Sequence, residues 1–144
     1  IEPAQRHLLQ RGAMASLVAQ PALAEFMQTG AYATHIRRTR RVYARRMNAL
    51  MAEQHRFGRL LTLTPTMAGM HVVADIGPGL ARKYSDSEIA KVAAEAGLRV
   101  APLADYYVGS PTRRGLLLGF AGFPEAQLTA GARKLAAALA TMTR

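Results

Sequence analysis

Residues 115–121 read Gly-Leu-Leu-Leu-Gly-Phe-Ala, an apolar run between a polar loop and the stretch Phe123-Pro124-Glu125. A short continuous apolar run bounded by turn residues is typical of a strand that is buried on both faces or paired centrally in a sheet. Leu116–Ala121 is therefore predicted to be such a strand. Gly119 inside it is predicted to permit a close approach of another backbone segment.

Two further segments have the character of strands. Between Leu60 and Ile76, β-prone residues form short runs that Pro65 and Gly69 separate, which indicates a hairpin-like antiparallel pair. Residues 98–103 alternate in polarity, with Leu98 and Val100 on one side, and are predicted to form another strand.

Helical patterns surround these strands. The apolar residues from Tyr32 to Leu50 follow a 3.6-residue period and predict one long helix that Gly58 closes. Ser85 and Glu88 have the spacing of a capping box, which predicts a helix that stops at Gly97. Other helices are predicted for residues 1–12, for Pro21–Gly30, and from Pro124 to Met142. The fold class that follows is α+β, a small mainly antiparallel sheet covered by helices.

Composition limits the possible functions. The chain has 144 residues, half of them apolar, which suits one domain with a real core. It begins with Ile1 and lacks a signal-like start, so it is expected to be a fragment of a longer protein. There is no cysteine and no apolar run of about 20 residues, and a reducing, cytoplasmic setting is the default expectation.

The positive charge is concentrated in one segment. The formal net charge is +10, and Arg37, Arg38, Arg40, Arg41, Arg45 and Arg46 all fall on the predicted long helix. Such a cluster suits a nucleic acid or an acidic partner, but it also suits a solvated or interface face of a larger protein. The second interpretation is preferred, because the same helix carries an apolar stripe.

No complete catalytic set is evident. The four histidines lack metal-site spacing, the serines lack a nucleophile elbow, and the glycines form no phosphate-binding loop, so no metal ligands and no catalytic residues are assigned. Asp75 and Asp105 are interpreted as turn or strand-end residues. The loop with Tyr107, Arg113 and Arg114 gathers aromatic and cationic groups, so these three are the candidate ligand-binding residues. For the tyrosine, a strand-edge role stays equally open.

Several stretches together resemble a known family, and they cover most of the chain after about residue 14. They are Leu23–Gly30, His35–Leu50, Ala68–Val72, Ala94–Leu103, Tyr106–Tyr107 and Gly115–Ala121. Their order and spacing are similar to the carboxy-terminal part of MocR-type regulators. These are GntR-family bacterial transcription factors whose effector domain looks like a fold type I, pyridoxal-phosphate-dependent aminotransferase.

The resemblance implies a helical lead-in from a missing large domain at residues 1–30 and an aminotransferase-like small domain at residues 31–144. The small domain would close over a cofactor and effector site held by the large domain. Pyridoxal phosphate is expected in the parent and not on this chain alone, because none of Lys83, Lys91 and Lys134 lies in a matching motif. The parent is further expected to be a homodimer in the cytoplasm that contacts DNA through a separate amino-terminal winged helix.

The resemblance also implies a departure at the substrate site. Many aminotransferases of this fold place a carboxylate-binding arginine where this chain has Leu117. Arg113 or Arg114 would then have to reach the effector from the preceding loop, with Tyr107 beside them. The alternative is the small domain of a genuine aminotransferase, and whether the parent transaminates stays open, although the chain itself is not expected to be an enzyme. A third and weaker possibility is an autonomous nucleic-acid binder that uses the arginine helix.

Overall fold

The computed structural model describes residues 2–10 and 17–143. It divides into two compact units, residues 1–40 and residues 41–144, and the division falls inside a long helix. Within the described residues, no helix is both long enough and apolar enough to cross a membrane.

The first unit is helical. Helix α1 spans Glu2–Gln10 and helix α2 spans Gln20–Gln28, and helix α3, Ala31–Ala52, begins in this unit. Pro21 occupies the first turn of α2, where the missing N–H costs nothing, and Gly30 follows the helix with φ of +75°. The predictions for the first two helices are confirmed over residues 2–10 and 20–28, while residues 11 and 12 lie outside the described part.

The long predicted helix is interrupted before Gly58. Helix α3 ends at Ala52, and a separate short helix α4, Gln54–Phe57, follows before Gly58 with φ of +53°. The interruption lies at Glu53, whose buried carboxylate receives hydrogen bonds from Arg56 and lies 3.6 Å from Nε of Arg133. The prediction of one continuous helix to Gly58 is therefore wrong at this position.

Four strands form one antiparallel sheet in the second unit. They are β1, Leu61–Thr64; β2, His71–Ile76; β3, Ala101–Pro102; and β4, Gly115–Gly119, arranged in the order β1-β2-β4-β3. The predicted hairpin and the interior place of the apolar strand are confirmed. Strand β3 is shorter than the predicted 98–103, because Pro102 has no N–H for a ladder and the chain enters a 3-10 turn at Leu103–Tyr106.

The two faces of the sheet differ. One face is buried and carries Leu61, Leu63, Val72, Ala74, Ile76, Leu116 and Leu118. It shares one core with helix α6, Asp86–Glu95, and helix α7, Glu125–Thr141, both of which match the predicted apolar stripes. The Ser85–Glu88 capping box before α6 is confirmed by the reciprocal hydrogen bonds of 3.2 Å and 2.6 Å. The opposite face, the open face, is defined by Thr64, Val73, Asp75 and Leu117.

Gly77 marks a close approach of two backbone segments. The stretch Gly77-Pro78-Gly79 does not simply interrupt the chain, since Pro78 begins a short helix α5, Pro78–Ala81. A Cβ on Gly77 would overlap the carbonyl oxygen of Arg59, so no other residue fits there. The close backbone approach that the sequence predicted at Gly119 is wrong, because a Cβ there would meet only the His71 ring, at 3.4 Å.

Replacement of Phe120 by alanine is expected to be the more damaging of two matched truncations. Phe120 is 2% exposed and its ring packs edge-on against Tyr43, whereas the nearby Phe123 is 51% exposed. We expect Phe120→Ala to lower the free energy of unfolding by about 3–5 kcal/mol. Phe123→Ala should change it by less than about 1 kcal/mol. Denaturant unfolding of both variants tests this, and equal midpoints would contradict the position of Phe120 in the core.

Candidate functional site

The open face carries one polar cluster near the end of the sheet. Arg113 donates from Nη2 to Oδ2 of Asp75 at 2.7 Å and to Oγ1 of Thr64 at 3.1 Å, and its Nε also contacts Asp75. The Thr64 hydroxyl donates in turn to Asp75 at 3.1 Å. The three side chains come from β1, β2 and the loop before β4, so the sheet register brings them together.

The cluster keeps Asp75 ionised. Hydrogen bonding from Arg113 lowers the pKa of the Asp75 carboxyl, desolvation opposes this, and the Thr64 hydroxyl and the charge of Arg113 add to the lowering. A lowered folded-state pKa stabilises the fold above the ordinary aspartate range, and this stabilisation is lost as the pH falls through the lowered value. Because the two side chains are 45% and 32% exposed, solvent screening keeps the pair to about 1 kcal/mol or less.

Tyr107 lies close to this cluster. Its hydroxyl accepts a hydrogen bond from Thr112 at 3.4 Å within the loop between the 3-10 turn and β4. The pKa of the Arg113 guanidinium is raised, mainly by hydrogen bonding to Asp75, and Tyr107 is close enough to contribute electrostatically. The Tyr107 hydroxyl is therefore held by Thr112, the residue that directly precedes Arg113.

Arg114 points away from them. Its Nε contacts the buried carboxylate of Asp86, Nη2 donates to the carbonyl of Tyr84 at 2.7 Å, and Nη1 donates to that of Ala81 at 3.2 Å. The other oxygen of Asp86 accepts from the N–H of Gly115 at 2.9 Å. Arg114 thus fastens the first residue of β4 to the turn between α5 and α6.

Alternation along the strand explains why the two neighbouring arginines differ. Gly115 pairs with Asp75, and Leu116 and Leu118 face the core. Successive side chains of an extended chain point to opposite faces. Arg114 therefore lies on the same face as Leu116 and Leu118, and Arg113 lies on the open face with Leu117. The sequence marked both arginines as equivalent candidates, and the structure gives them different surroundings.

Asp86 is one of the site residues that the sequence did not indicate. It lies in the first turn of α6, where a carboxylate is already accounted for by the helix dipole. Its partners Arg114 and Gly115 are almost thirty residues away along the chain, so only the fold reveals the pairing. Thr64 is a second such residue, joined to Arg113 across 49 positions.

Neither a metal site nor a buried amine is found in the described part of the chain. No group of three or more histidine, aspartate or glutamate residues there could hold a metal ion. The side chains of Lys83, Lys91 and Lys134 are all exposed to solvent. A lysine that forms a Schiff base is usually activated by desolvation or by a neighbouring cation.

Comparison with known proteins gives relatives among bacterial regulators. The chain is 33% identical over 135 residues to the probable rhizopine catabolism regulatory protein MocR of Rhizobium meliloti, which covers 93% of this chain and 27% of that protein. The uncharacterized HTH-type transcriptional regulator YhdI of Bacillus subtilis (strain 168) is 28% identical over 144 residues, 99% of this chain and 30% of that protein. The chain thus spans less than a third of these curated relatives. No protein-family model matches it.

Solved structures with the same fold include several aminotransferases. The α-aminoadipate aminotransferase LysN of Thermus thermophilus superposes with a TM-score of 0.79 over 97% of this chain and 36% of that chain, at 23% identity. The multiple substrate aminotransferase of Thermococcus profundus gives 0.71 over 81% of this chain and 28% of that chain, at 19% identity. These likenesses show the fold. The resemblance to MocR-type regulators with an aminotransferase-like part, and the α+β fold class, are confirmed.

Removal of the Asp86 carboxylate is expected to weaken the whole second unit. Asp86→Ala leaves the N–H of Gly115 buried without an acceptor and Arg114 without its anion, which we expect to cost about 2–3 kcal/mol of unfolding free energy. Asp105→Ala removes a carboxylate that is exposed and should change stability by about 0.5 kcal/mol or less. Urea unfolding monitored by circular dichroism compares them, and an Asp86→Ala midpoint equal to that of Asp105→Ala would refute this account.

Proposed function

We propose that this chain is the carboxy-terminal small domain in the ligand-sensing effector part of a MocR-type, GntR-family transcription regulator. It closes over a cofactor and effector site that a large domain of the same parent chain holds. The observation that carries the proposal is the combination of a regulator relative at 33% identity with an aminotransferase fold at a TM-score of 0.79.

In this proposal residues 1–30 lead in from the large domain and residues 31–144 form the small domain. The start at residue 31 is supported by Gly30, whose left-handed φ of +75° separates α2 from α3. The compact units divide ten residues later, inside α3, which continues into the second unit without a break.

Pyridoxal phosphate is the proposed cofactor of the parent. Two of the aminotransferase structures with this fold contain its derivatives: the Pyrococcus horikoshii kynurenine aminotransferase holds PMP, and LysN holds N-(5'-phosphopyridoxyl)-L-leucine. The lysines of this chain do not fit the anchoring role, since their side chains are all exposed. The anchoring lysine is therefore assigned to another part of the parent.

The contribution of this chain to the effector site is an anion-binding group. An arginine has five N–H donors, and in the structure Asp75 and Thr64 use those on Nε and Nη2 of Arg113. Nη1 makes no hydrogen bond within the described residues and is free to receive a carboxylate. Tyr107 supplies a hydroxyl nearby, while Arg114 acts by positioning the start of β4.

The remaining parts of the proposal concern the parent as a whole. It is a homodimer in the cytoplasm and contacts DNA through a separate amino-terminal winged helix. The second candidate is a genuine aminotransferase, which the fold of the solved neighbours favours. The two differ in turnover: an aminotransferase converts its bound cofactor with an amino acid donor, whereas a sensor changes its DNA affinity.

Arg113→Ala in the full-length parent is expected to weaken the response to the effector. Loss of a charge-assisted hydrogen bond to a carboxylate corresponds to roughly a tenfold higher effector concentration at half-response. The measurement is operator binding by fluorescence anisotropy with added amino acids, together with cofactor absorbance. Arg82→Ala is the control, because it removes an exposed arginine outside the cluster.

The outcomes separate the candidates. A higher effector concentration at half-response for Arg113→Ala, but not for Arg82→Ala, supports the proposed site in a sensor. Steady turnover of an amino acid with no effect on any DNA favours the aminotransferase. An unchanged response in Arg113→Ala would remove this residue from the effector site.

The arginines of α3 are expected to serve an interface and not to read DNA. Two of the six are used within the second unit, Arg45 with Glu125 at 3.3 Å and Arg46 with the carbonyl of Ala121. An electrostatic contact alone has no sequence preference and weakens steeply with salt. We therefore expect only weak, salt-labile binding of the 144-residue chain to two unrelated duplexes at physiological salt.

A triple Arg37→Ala, Arg38→Ala, Arg41→Ala variant serves as the comparison, since all three side chains are exposed. It should reduce the weak binding to both duplexes equally. Tight binding to one duplex that the triple change abolishes, with the fold intact, would instead identify an autonomous nucleic-acid binder.

A further inference from the structure

A cavity opens on the helical side of the sheet, away from the Arg113 cluster. It encloses about 350 Å³, all of it within the second unit, and its wall includes Leu118 of the buried sheet face, Leu128 of α7, and Leu98 and Val100 before β3. Its volume falls in the range of small-ligand sites, which are mostly apolar with a few polar groups. We name it the α7 cavity after the helix that contributes Leu128 and Gly131 to its wall.

A glycine keeps part of the α7 cavity empty. Gly131 lies inside α7 between Ala130 and Ala132 and lines the cavity. Glycine in a helix interior destabilises the helix relative to alanine. A Cβ at this position would meet only Leu98, at an ordinary 3.8 Å, so the fold itself does not exclude a side chain. The glycine therefore preserves space at the expense of helix stability.

The rim of the α7 cavity is positively charged. Arg99 is one of the lining residues and is exposed. Nζ of Lys134 lies 3.3 Å from the Cβ position of Gly97, another lining residue. Among the described residues no aspartate or glutamate lines the cavity, and neither cation forms an ion pair with any of them. An apolar interior with two unpaired cations at the rim complements a ligand with one negative end.

We propose that the α7 cavity binds a small amphiphilic monocarboxylate, such as a medium-chain aliphatic acid in free solution. The apolar part lies among Leu98, Leu118 and Leu128, and the carboxylate lies at the rim with Arg99 and Lys134. Burial of apolar surface supplies most of the affinity, and the rim cations supply the selection for a carboxylate. This site is independent of the proposed effector site, which lies on the other face of the sheet.

The test uses the 144-residue chain and three ligands of equal chain length: octanoate, octanol and octylammonium. Titration is followed by calorimetry and by the ¹H–¹⁵N resonances of Gly131 and Val100. We expect saturable binding of one octanoate with shifts at these two amides, binding of octanol about fivefold weaker, and binding of octylammonium at least about tenfold weaker.

Two variants locate the site. Arg99→Ala combined with Lys134→Ala should bring octanoate down to the affinity of octanol, and the surface change Arg82→Ala should leave all three ligands unaffected. Gly131→Leu should fill the cavity and abolish binding of both octanoate and octanol, with a native circular dichroism spectrum as its control.

Three results would overturn the proposal. One is equal affinity for the three ligands, which is also the result expected if the cavity merely receives an apolar segment of another polypeptide. Another is octanoate binding without shifts at Gly131 and Val100. The third is an octanoate affinity that the double change at Arg99 and Lys134 leaves intact, a measurement that does not depend on how Gly131→Leu folds.

Discussion

The buried carboxylate of Asp86 holds β4, one of the two inner strands of the sheet, to the helical layer. One oxygen accepts from the backbone of Gly115, the first residue of β4, and the other contacts Arg114 beside it. Strand β4 pairs with both β2 and β3, so its start sets the register of the two neighbours. A shift of one residue would exchange the buried and open faces of the strand. The position of Arg113 beside Asp75 and Thr64 depends on this attachment, while the β1–β2 pairing brings Asp75 and Thr64 together.

Because of the same attachment, the adjacent residues Arg113 and Arg114 have different roles. Arg114 is held by hydrogen bonds to three partners on the helical side, and such a network restricts its movement. Arg113 meets one carboxylate and one hydroxyl in a partly exposed cluster, which is a weak and screened contact. Nη1 of the Arg113 guanidinium makes no hydrogen bond within the described residues and can receive a ligand carboxylate while Asp75 and Thr64 stay bound. Arg114, which is rigidly held, thus supports Arg113, which is less constrained. A binding group needs such support from the residues around it.

Local signals predicted most of the elements, and contacts across the chain explain what they missed. The Ser85 capping box, the Gly30 turn and the apolar strand near Leu116 are each specified by neighbours in sequence, and the structure contains them. The break at Glu53 depends on long-range packing against Arg133. The shortening of β3 follows instead from the missing N–H of Pro102, a local signal that the prediction of 98–103 did not use. Asp86 contacts Gly115, which lies 29 residues further along the chain, so no local pattern reveals this contact. Gly77 is required by the backbone carbonyl of Arg59, and a backbone group leaves no side-chain signal in the sequence.

The open face of the sheet gives a physical reason to expect a covering partner. Val73 and Leu117 pair in the middle of this face and are only half-buried, although an antiparallel sheet with one solvated face normally alternates apolar with polar residues. The polar cluster of Arg113 lies beside this apolar centre. A covering domain would bury the two aliphatic side chains and lower the local dielectric around the guanidinium. Burial of the aliphatic side chains favours closure, and the lower dielectric strengthens an Arg113–carboxylate contact, so closure and anion binding favour each other in the proposed sensor.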